Sequence, residues 1–320
     1  MTLNYDKMVI LRIAKYYYLD GLSQQEISDK ESIHRSQISR ILKLARELGY
    51  VQIRISAPDS YTADTLAKRV EHKLALEEVL VAPSLSPQTS QDESLYFFAA
   101  RRLEEILPHC KNIGIGLGKT LYHVAAQLTT QRLDVQPDFY SVVGTSGTDN
   151  PYLQASVILD NFARPFHGRC HYNNFPICLS RAMMSPLDIS RFQELQKAYQ
   201  LLDTIVLSIG GPFNLEYPYL EEFSLVEKEL DTAKALTRPH GNLLGHVFYN
   251  DGDILTLPDK YLLTSMSLAL LRLVPKVICI AYGKHKADSI ISAARHGYIK
   301  SLITDEATAQ TILKNSGTGA

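Results

Sequence analysis

Side chains that can bind anions and hydrogen-bond to base edges are concentrated between His34 and Arg54. This segment contains five basic residues and one acidic residue, whereas the whole chain has a formal net charge of -1. Arginine offers paired donors that match the O6 and N7 atoms of guanine, and glutamine matches the N6 and N7 atoms of adenine. The local excess of positive charge therefore predicts contact with a nucleic acid through this segment alone.

The candidate contact residues belong to the start of a predicted helix. Apolar positions recur along it at helical spacing, at Ile38, Ile41, Leu42 and Ala45. The polar residues outside this apolar stripe are the predicted DNA contacts. They are Arg35, Ser36, Gln37, Ser39, Arg40 and Lys43. Lys43 lies furthest along the helix and suits backbone phosphate. The alternative is a solvated basic face on a purely structural helix.

Two shorter helices are predicted in front of this one. The first has an apolar face made of Ile10, Ile13, Ala14 and Tyr17, and it ends near Gly21. Ser23 and Glu26 have the spacing of a capping box, which begins the second helix. Because residues 51–55 alternate like a strand, the whole pattern predicts a small winged helix-turn-helix domain over residues 1–57. In that motif the start of the third helix enters the major groove.

A second group of residues could bind an anion at the ends of four predicted strands. The four turns are Gly118-Lys119-Thr120, Gly144 to Thr148, Gly210-Gly211-Pro212 and Tyr282 to Lys286. Glycine lets backbone amides approach an oxyanion closely, while lysine and hydroxyl side chains add charge and donors. The alternative is that tight strand-to-helix turns need glycine for steric reasons only.

Strands and helices alternate from about residue 77. This alternation predicts the domain that holds the four turns in place. It is typical of a Rossmann-like α/β domain with a mostly parallel sheet, here over residues 58–320. Ligands of such sheets bind outside the carboxyl ends of the strands. A Walker A loop and a dinucleotide fingerprint are excluded, because Ile113 and Lys119 stand where these motifs need glycine. No cofactor is expected.

One further helix is predicted between the two domains, from about Thr62 to Leu74. Leu66, Val70 and Leu74 lie along one side of it. This stripe could pair with a second copy of the chain or pack on the α/β domain, and the pattern alone leaves both open. Dimerisation is expected on other grounds, because a lone helix-turn-helix covers too few base pairs for tight specificity.

The cysteines, the apolar runs and one segment rich in histidine bear on the cellular compartment and on metal binding. The four cysteines form no C-x-x-C pair, which predicts reduced thiols in the cytoplasm rather than a disulfide framework. No apolar run approaches the roughly 20 residues that span a bilayer, and residues 1–18 lack the pattern of a signal peptide. His167, Cys170 and His171 could suit zinc, although a fourth ligand is not evident.

Several motifs, in their order and spacing, resemble those of the SorC/DeoR-type sugar-binding transcription regulators. In the N-terminal part the similar segments are Tyr17 to Ser28 and Ser36 to Leu42. In the α/β part they are residues 114–121, 144–147, 209–212, 245–252, 283–287, 297–299 and 302–305. The resemblance covers nearly the whole chain, and the family's effector domain is similar in fold to glucosamine-6-phosphate isomerase.

The resemblance implies a bacterial regulator, usually tetrameric, whose affinity for operator DNA changes when a sugar or sugar phosphate binds. It also implies the effector-binding residues, which are Gly116, Gly118, Lys119, Thr120, Gly144, Thr145, Ser146, Gly147, Tyr249, Asn250 and Lys286. Many relatives carry an acidic residue that contacts sugar hydroxyls at the position of Tyr249. Asn250 or Asp251 would have to replace that carboxylate in this chain.

Two other functions are compatible with the same residues. The α/β domain could be a sugar-phosphate isomerase or hydrolase, which needs a positioned base such as Asp149 or His246. Alternatively, the chain could bind DNA constitutively and carry a degenerate effector pocket, and Tyr249 is the residue that keeps this hypothesis open.

Overall fold

The computed structural model describes residues 5–51, 61–83, 91–130, 135–146, 150–211 and 240–315. The chain divides into two compact units, Met1–Ser56 and Ala57–Ala320. The first contains three helices and the second contains a layered α/β fold. Each unit has its own apolar core.

The first unit consists of helices α1 (Lys7–Tyr18), α2 (Gln24–Glu31) and α3 (Arg35–Glu47). The predicted capping box is confirmed, since Glu26 N donates to Ser23 Oγ and Ser23 N donates to a Glu26 carboxylate oxygen. The helices share a core of eight buried residues, which are Ile10, Ile13, Ala14, Ile27, Ile38, Ile41, Leu42 and Ala45.

One residue of the predicted core is placed differently. Tyr17 is 36% exposed and sits edge-on against Tyr18 at a ring distance of 4.9 Å. Its side chain therefore lies outside the apolar core, whereas its neighbours Tyr16 and Tyr18 pack against that core. Of the predicted strand at 51–55, only Val51 lies within the described residues.

The second unit is built on a sheet of seven strands in the order β1-β11-β10-β6-β2-β3-β4. Every pairing within this sheet is parallel, which confirms the predicted α/β fold with a mostly parallel sheet. Its strands are β1 (Glu78–Ala82), β2 (Asn112–Ile115), β3 (Asp138–Ser141), β4 (Arg169–His171), β6 (Thr204–Leu207), β10 (Lys276–Ile280) and β11 (Ser301–Asp305).

Two apolar clusters cover the two faces of this sheet. Strands β6 and β11 are buried along their whole length, as is expected of a parallel sheet covered on both faces. The helices of this unit are α4 (Tyr61–Leu74), α5 (Gln91–Ile106), α6 (Lys119–Ala125), α7 (Ala155–Ala163), α8 (Pro186–Tyr199), α9 (Leu268–Leu271), α10 (Ala287–Arg295) and α11 (Glu306–Lys314).

Helix α4 packs on its own α/β unit, which decides between the two hypotheses for its apolar stripe. Val70 and Leu74 are buried in the same cluster as the sheet, and Leu66 packs against that cluster. Lys73 Nζ donates to the carbonyl oxygens of Leu313 and Asn315 at 3.1 and 2.8 Å. The apolar stripe of α4 is therefore buried against the α/β unit of the same chain.

Two small antiparallel ribbons lie beside the main sheet and were not predicted. One pairs β5 (Cys178–Ser180) with β9 (Tyr261–Leu263), and the other pairs β7 (His240–Leu243) with β8 (His246–Tyr249). Strands this short offer too few alternating positions for a period-two pattern to be recognised. The β7–β8 hairpin is closed by the two residues Leu244 and Gly245.

Gly144 is a position where substitution should be costly for stability. A Cβ here would come within 2.7 Å of the carbonyl oxygen of Phe175 and 2.8 Å of the Cα of Ile177, and it would also collide with Thr264 Oγ1. We expect Gly144→Ala to lower the free energy of unfolding by about 2 kcal/mol, because the crowding atoms include backbone. Denaturant unfolding of the full chain measures this.

Gly116→Ala is the matched control for that measurement. The nearest atoms to a Cβ at Gly116 lie 3.3 Å away, so the neighbours need to give by only a few tenths of an ångström. If the two alanine variants lose the same free energy of unfolding, close packing does not explain why position 144 carries glycine.

Candidate functional site

The predicted DNA-contact residues lie together on one face of α3. Arg35, Ser36, Ser39, Arg40 and Lys43 are exposed, and Gln37 is partly buried. The four buried residues of α3 occupy its other side. The helix thus presents the predicted polar face to solvent, starting at its first residue.

Pairing within the first unit leaves two arginines of this face available. Ser36 Oγ lies 2.9 Å from His34 Nδ1 at the helix start, and Lys43 Nζ lies 3.7 Å from a Glu47 carboxylate oxygen. Among the described residues, the guanidinium groups of Arg35 and Arg40 form no ion pair. These two groups can therefore bind an external acceptor without breaking an ion pair to another described residue.

The second unit contains a cavity of about 430 Å³ at the carboxyl ends of β2, β6 and β10, which we call the loop cavity. This is where ligands of parallel sheets bind. Its described lining comprises Leu117, Gly118, Lys119, Thr120, Asn150, Tyr152, Leu153, Ile177, Ser208, Ile209, Gly210, Asn242, Leu244, Gly245 and Lys286.

The described lining of the loop cavity carries positive charge. Lys119 and Lys286 are the charged residues among its described lining, and none of the described lining residues is Asp, Glu or His. Lys119 is exposed at the start of α6. Two ammonium groups in a described lining that contains no carboxylate suit a ligand that carries an anionic group.

Lys286 is held in surroundings that favour ligand binding over hydration. Removal from water lowers the pKa of its ammonium group, although the nearby Cys279 and Asp92 oppose this shift. Its Nζ lies 5.7 Å from the ring centroid of Tyr282. Because a poorly hydrated ammonium group has less water to lose, an anion can be bound here at a smaller desolvation cost.

The remaining lining of the loop cavity divides into polar and apolar parts. The polar side chains are Thr120, Asn150, Tyr152, Ser208 and Asn242. The apolar ones are Leu117, Leu153, Ile177, Ile209 and Leu244. A small ligand with one anionic end and a body that carries both hydroxyl groups and carbon surface would fit this arrangement.

The structure brings four of the predicted effector residues together in this lining. They are Gly118, Lys119, Thr120 and Lys286, which come from two turns distant in sequence. Their convergence follows from β2 and β10 both pairing with β6 in parallel, so that their carboxyl ends lie at one edge.

The turn after β3 supports the wall instead of lining the loop cavity. Thr145 N donates to the carbonyl oxygen of Phe175 at 2.8 Å, and Ser146 Oγ donates to that of Leu153 at 2.7 Å. Gly144 is enclosed by the segment around Phe175, and Gly116 lies behind Leu244. Gly147 lies outside the described residues.

Tyr249 and Asn250 are placed outside the lining of the loop cavity. Tyr249 is 4% exposed at the end of β8. Its amide donates to the carbonyl oxygen of Asp253 at 2.8 Å, and its own carbonyl accepts from Ser292 Oγ at 3.2 Å. Both residues are positioned by the hairpin, which the sequence pattern did not predict as a folded ribbon.

Polar lining residues that the sequence did not predict come from several loops. Asn150 and Tyr152 follow the turn after β3, and the Asn150 side chain accepts from the amide of Tyr152 at 3.0 Å. Ser208 directly follows strand β6, and its position after a buried run was an available signal. Asn242 pairs through its backbone with Gly210, a contact that only the folded hairpin creates.

An aromatic cluster stands behind Lys286. Tyr282 Oη donates to an Asp92 carboxylate oxygen at 3.0 Å, and it also contacts Tyr96 Oη at 2.6 Å. Tyr96 stacks on His123 at a ring distance of 5.0 Å, and His123 contacts Tyr152. This network joins α5, α6 and β10 and fixes the ring over which Lys286 lies.

His246, one candidate base for an enzyme, is directed away from the loop cavity. It lines a separate cavity of about 300 Å³, the hairpin cavity, together with residues such as Arg181 and Asp259. Its Nε2 lies 3.0 Å from the carbonyl oxygen of Met266. The other candidate base, Asp149, lies outside the described residues.

His246 makes stability dependent on pH. Removal from water lowers its pKa from 6.5 to about 4, so the unfolded chain binds a proton that the folded chain does not bind within this range. Stability from this group is therefore complete above pH 6.5 and is lost as the pH falls towards 4. We expect about 2 kcal/mol less stability from this group at pH 4.5 than at pH 7.

Urea unfolding of the wild type and of His246→Gln at these two pH values tests this expectation. Glutamine can still donate to Met266 but does not titrate, so the variant should lose less stability on acidification. An equally steep loss in the variant would mean that other groups cause the acid sensitivity.

One of the three possible zinc ligands, His171, is used for another contact. Arg169 and His171 both bind the Asp138 carboxylate, the histidine with its Nε2 at 2.7 Å. The hydrogen bond from Arg169 is the main reason why the pKa of Asp138 is lowered. Among the described residues, no group of three or more His, Cys, Asp or Glu side chains could hold a metal ion.

Two further observations concern surfaces outside the predicted turns. A wider cavity of about 850 Å³ lies between α8 and the segment that follows β4 at the edge of the sheet, and none of the predicted effector residues lines it. None of the described helices is both long enough and apolar enough to cross a membrane.

Comparison with known proteins gives a consistent result. Residues 61–314 match the family model described as "Putative sugar-binding domain". The chain is 27% identical over 316 residues to the transcriptional regulator LsrR of Escherichia coli K12, covering 96% of this chain and 94% of that protein. It is 26% identical over 315 residues to the deoxyribonucleoside regulator of Bacillus subtilis 168, covering 95% and 97%.

Solved structures share the fold. The full-length sorbitol operon regulator SorC from Klebsiella pneumoniae has a TM-score of 0.77 at 24% identity, covering 97% of this chain and 100% of that one. A transcriptional regulator from Streptococcus pneumoniae TIGR4 has a TM-score of 0.69 at 23% identity, covering 80% and 98%. Similarity to the SorC structure thus extends over both units of the chain.

Proposed function

This chain belongs to the SorC/DeoR-type sugar-binding transcription regulators, and from that premise we propose that it regulates a carbohydrate-use operon. In this proposal the first unit binds operator DNA through α3, and a sugar or sugar phosphate in the loop cavity controls the DNA affinity. The observation that carries the proposal is the loop cavity, where Lys119 and Lys286 face a space with no described acidic residue in its lining.

The basic face of α3 supports the DNA-binding part of the proposal. Arg35 and Arg40 are exposed, and neither pairs with a described carboxylate. A helix that presents such groups from its first turn matches the geometry by which recognition helices read the major groove. We infer that Arg35, Gln37 and Arg40 contact base edges. Ser36 and Ser39 contact base edges or phosphate, and Lys43 contacts backbone phosphate.

The composition of the loop cavity supports an effector of the sugar-phosphate class. An anionic group would bind between Lys119, Lys286 and the Gly118 turn, and hydroxyl groups would meet Asn150, Tyr152, Ser208 or Asn242. Thr145 and Ser146 would act by holding the wall. The relatives from Escherichia coli and Bacillus subtilis are named as regulators, and we propose that this chain is likewise a regulator without enzymatic activity.

Regulation requires that the effector bind two states of the protein unequally. We propose that the ligand draws the turns around the loop cavity together and thereby changes contacts between subunits, which alters the spacing of paired DNA-binding units. A cytoplasmic homotetramer would provide these pairs, as the family likeness implies. Analytical ultracentrifugation with and without ligand measures the assembly.

Thermal melting against a panel of sugars, polyols and their phosphates tests the effector part of the proposal. A ligand present at about 100 times its dissociation constant stabilises the protein by about 2.7 kcal/mol, which is a readily measured shift. We expect a selective upward shift with one class of phosphorylated sugar. If no compound in the panel shifts the melting temperature, the chain is better described as a constitutive DNA binder.

A further inference from the structure

Leu244 has an unfavourable backbone conformation in the wall of the loop cavity. Its φ is +54°, and that of the following Gly245 is +82°. These are the two central residues of the β7–β8 hairpin, and positive φ at both positions is the signature of a type I′ turn. Such turns favour Asn-Gly, whereas a large apolar residue at positive φ is uncommon.

The side chain of Leu244 explains why leucine is placed there. Leu244 is 5% exposed and forms part of the lining of the loop cavity. It reaches the end of β2, because a Cβ at Gly116 would lie 3.3 Å from Leu244 Cδ2. The glycine at 116 therefore leaves space beside this leucine, whose side chain forms part of the cavity wall.

The same turn lies between two cavities. Gly245 lines both the loop cavity and the hairpin cavity, which has a volume of about 300 Å³. Its neighbour Leu243 is fully buried in the core and lines neither cavity. Leu243 thus contributes packing alone, whereas Leu244 faces the space that a ligand would occupy.

We propose that Leu244 is a specificity-determining residue that limits the length of the effector's carbon chain. Its strained conformation persists because the side chain closes the loop cavity on the side of the hairpin. This inference rests on the proposed effector-binding function. It concerns the size of the bound molecule, while the lysines at the other part of the wall bind the anionic group.

Calorimetric titration with phosphorylated aldoses of increasing length tests the inference. The probes are inorganic phosphate, glyceraldehyde 3-phosphate, ribose 5-phosphate and glucose 6-phosphate, added to the full chain. A change of one methylene in such a wall alters discrimination by about tenfold or more. The quantity compared is the ratio of the dissociation constant for the longest aldose phosphate that the protein binds to that for a shorter one. We expect Leu244→Ala to change this ratio about tenfold in favour of the longest aldose phosphate.

Two further variants keep the test decisive. Leu244→Gly removes the whole side chain with a residue suited to positive φ, so it should shift the ratio in the same direction with a higher ligand-free melting temperature than Leu244→Ala. Leu243→Ala, or Leu243→Val if the alanine variant does not fold, is the matched core control and should leave the ratio unchanged. Affinity for inorganic phosphate should remain the same in all of them.

The outcomes separate this inference from the proposed function. If the wild type binds one of the aldose phosphates and both Leu244 variants keep its length preference, Leu244 is only a core residue and the inference is wrong. If none of the aldose phosphates binds the wild type, the proposed effector class fails and the inference fails with it.

Discussion

Replacing Arg40 with alanine is expected to weaken binding to operator DNA about a hundredfold. A good arginine contact to a base contributes about 1–3 kcal/mol of discrimination, and a paired reader loses the contact in both half-sites. Arg40 is exposed on α3 and has no described ion pair to break, so its loss should leave folding intact. Fluorescence anisotropy with DNA selected from a random-sequence library measures the change.

Lys15→Ala is the matched control for Arg40→Ala. It removes one positive charge from the same unit, but from the exposed surface of α1. We expect a much smaller loss of DNA affinity, and neither variant should alter the ligand-induced rise in melting temperature. Equal losses in the two variants would mean that net charge alone, and not the face of α3, carries DNA binding.

Replacing Lys286 with glutamine is expected to weaken binding of a phosphorylated effector about a hundredfold. Removing one partner of a desolvated charge pair costs about 2–5 kcal/mol, and Lys286 is largely shielded from water. Glutamine keeps a donor and similar length while it removes the charge. Isothermal titration with the ligand identified by thermal melting measures the dissociation constant.

Lys284→Gln provides the control, because Lys284 is exposed on the same turn and is absent from the lining of the loop cavity. Its affinity for the effector should stay within about threefold of the wild type, as for other surface charges. Because the pKa of Lys286 is lowered, wild-type affinity should also begin to fall at a lower pH than for an ordinary lysine of pKa 10.5. If the two glutamine variants bind the effector with similar affinity, Lys286 does not contribute to effector binding.

Local sequence signals predicted the elements that carry both sites. The capping box at Ser23 and the apolar stripe of α3 depend on residues within a few turns of each other, so the sequence alone specifies them. The strands β2, β6 and β10 are buried runs that end in glycine-containing turns, and these patterns are equally local. Their parallel pairing then follows from alternation with helices.

Features that depend on contacts between distant residues could not be predicted. Asn242 reaches the loop cavity because the short β7–β8 hairpin folds beside Gly210. The same hairpin places Tyr249 outside that cavity. Tyr249 lies at the end of β8 away from the turn, where its amide donates to the carbonyl oxygen of Asp253. Gly144 resembled a ligand-binding glycine in sequence, but its close neighbours come from residues 175–177 and 264.

The dependence of DNA binding on the effector tests the central claim most directly. Anisotropy titrations of selected DNA would be performed with the wild type and with Lys286→Gln, each in the absence and presence of the identified sugar phosphate. The account predicts that the ligand changes wild-type DNA affinity by about 5–150-fold, the usual range of allosteric coupling, and that Lys286→Gln binds the same DNA with little response at that ligand concentration. Equal wild-type affinity with and without a ligand that demonstrably binds would contradict it.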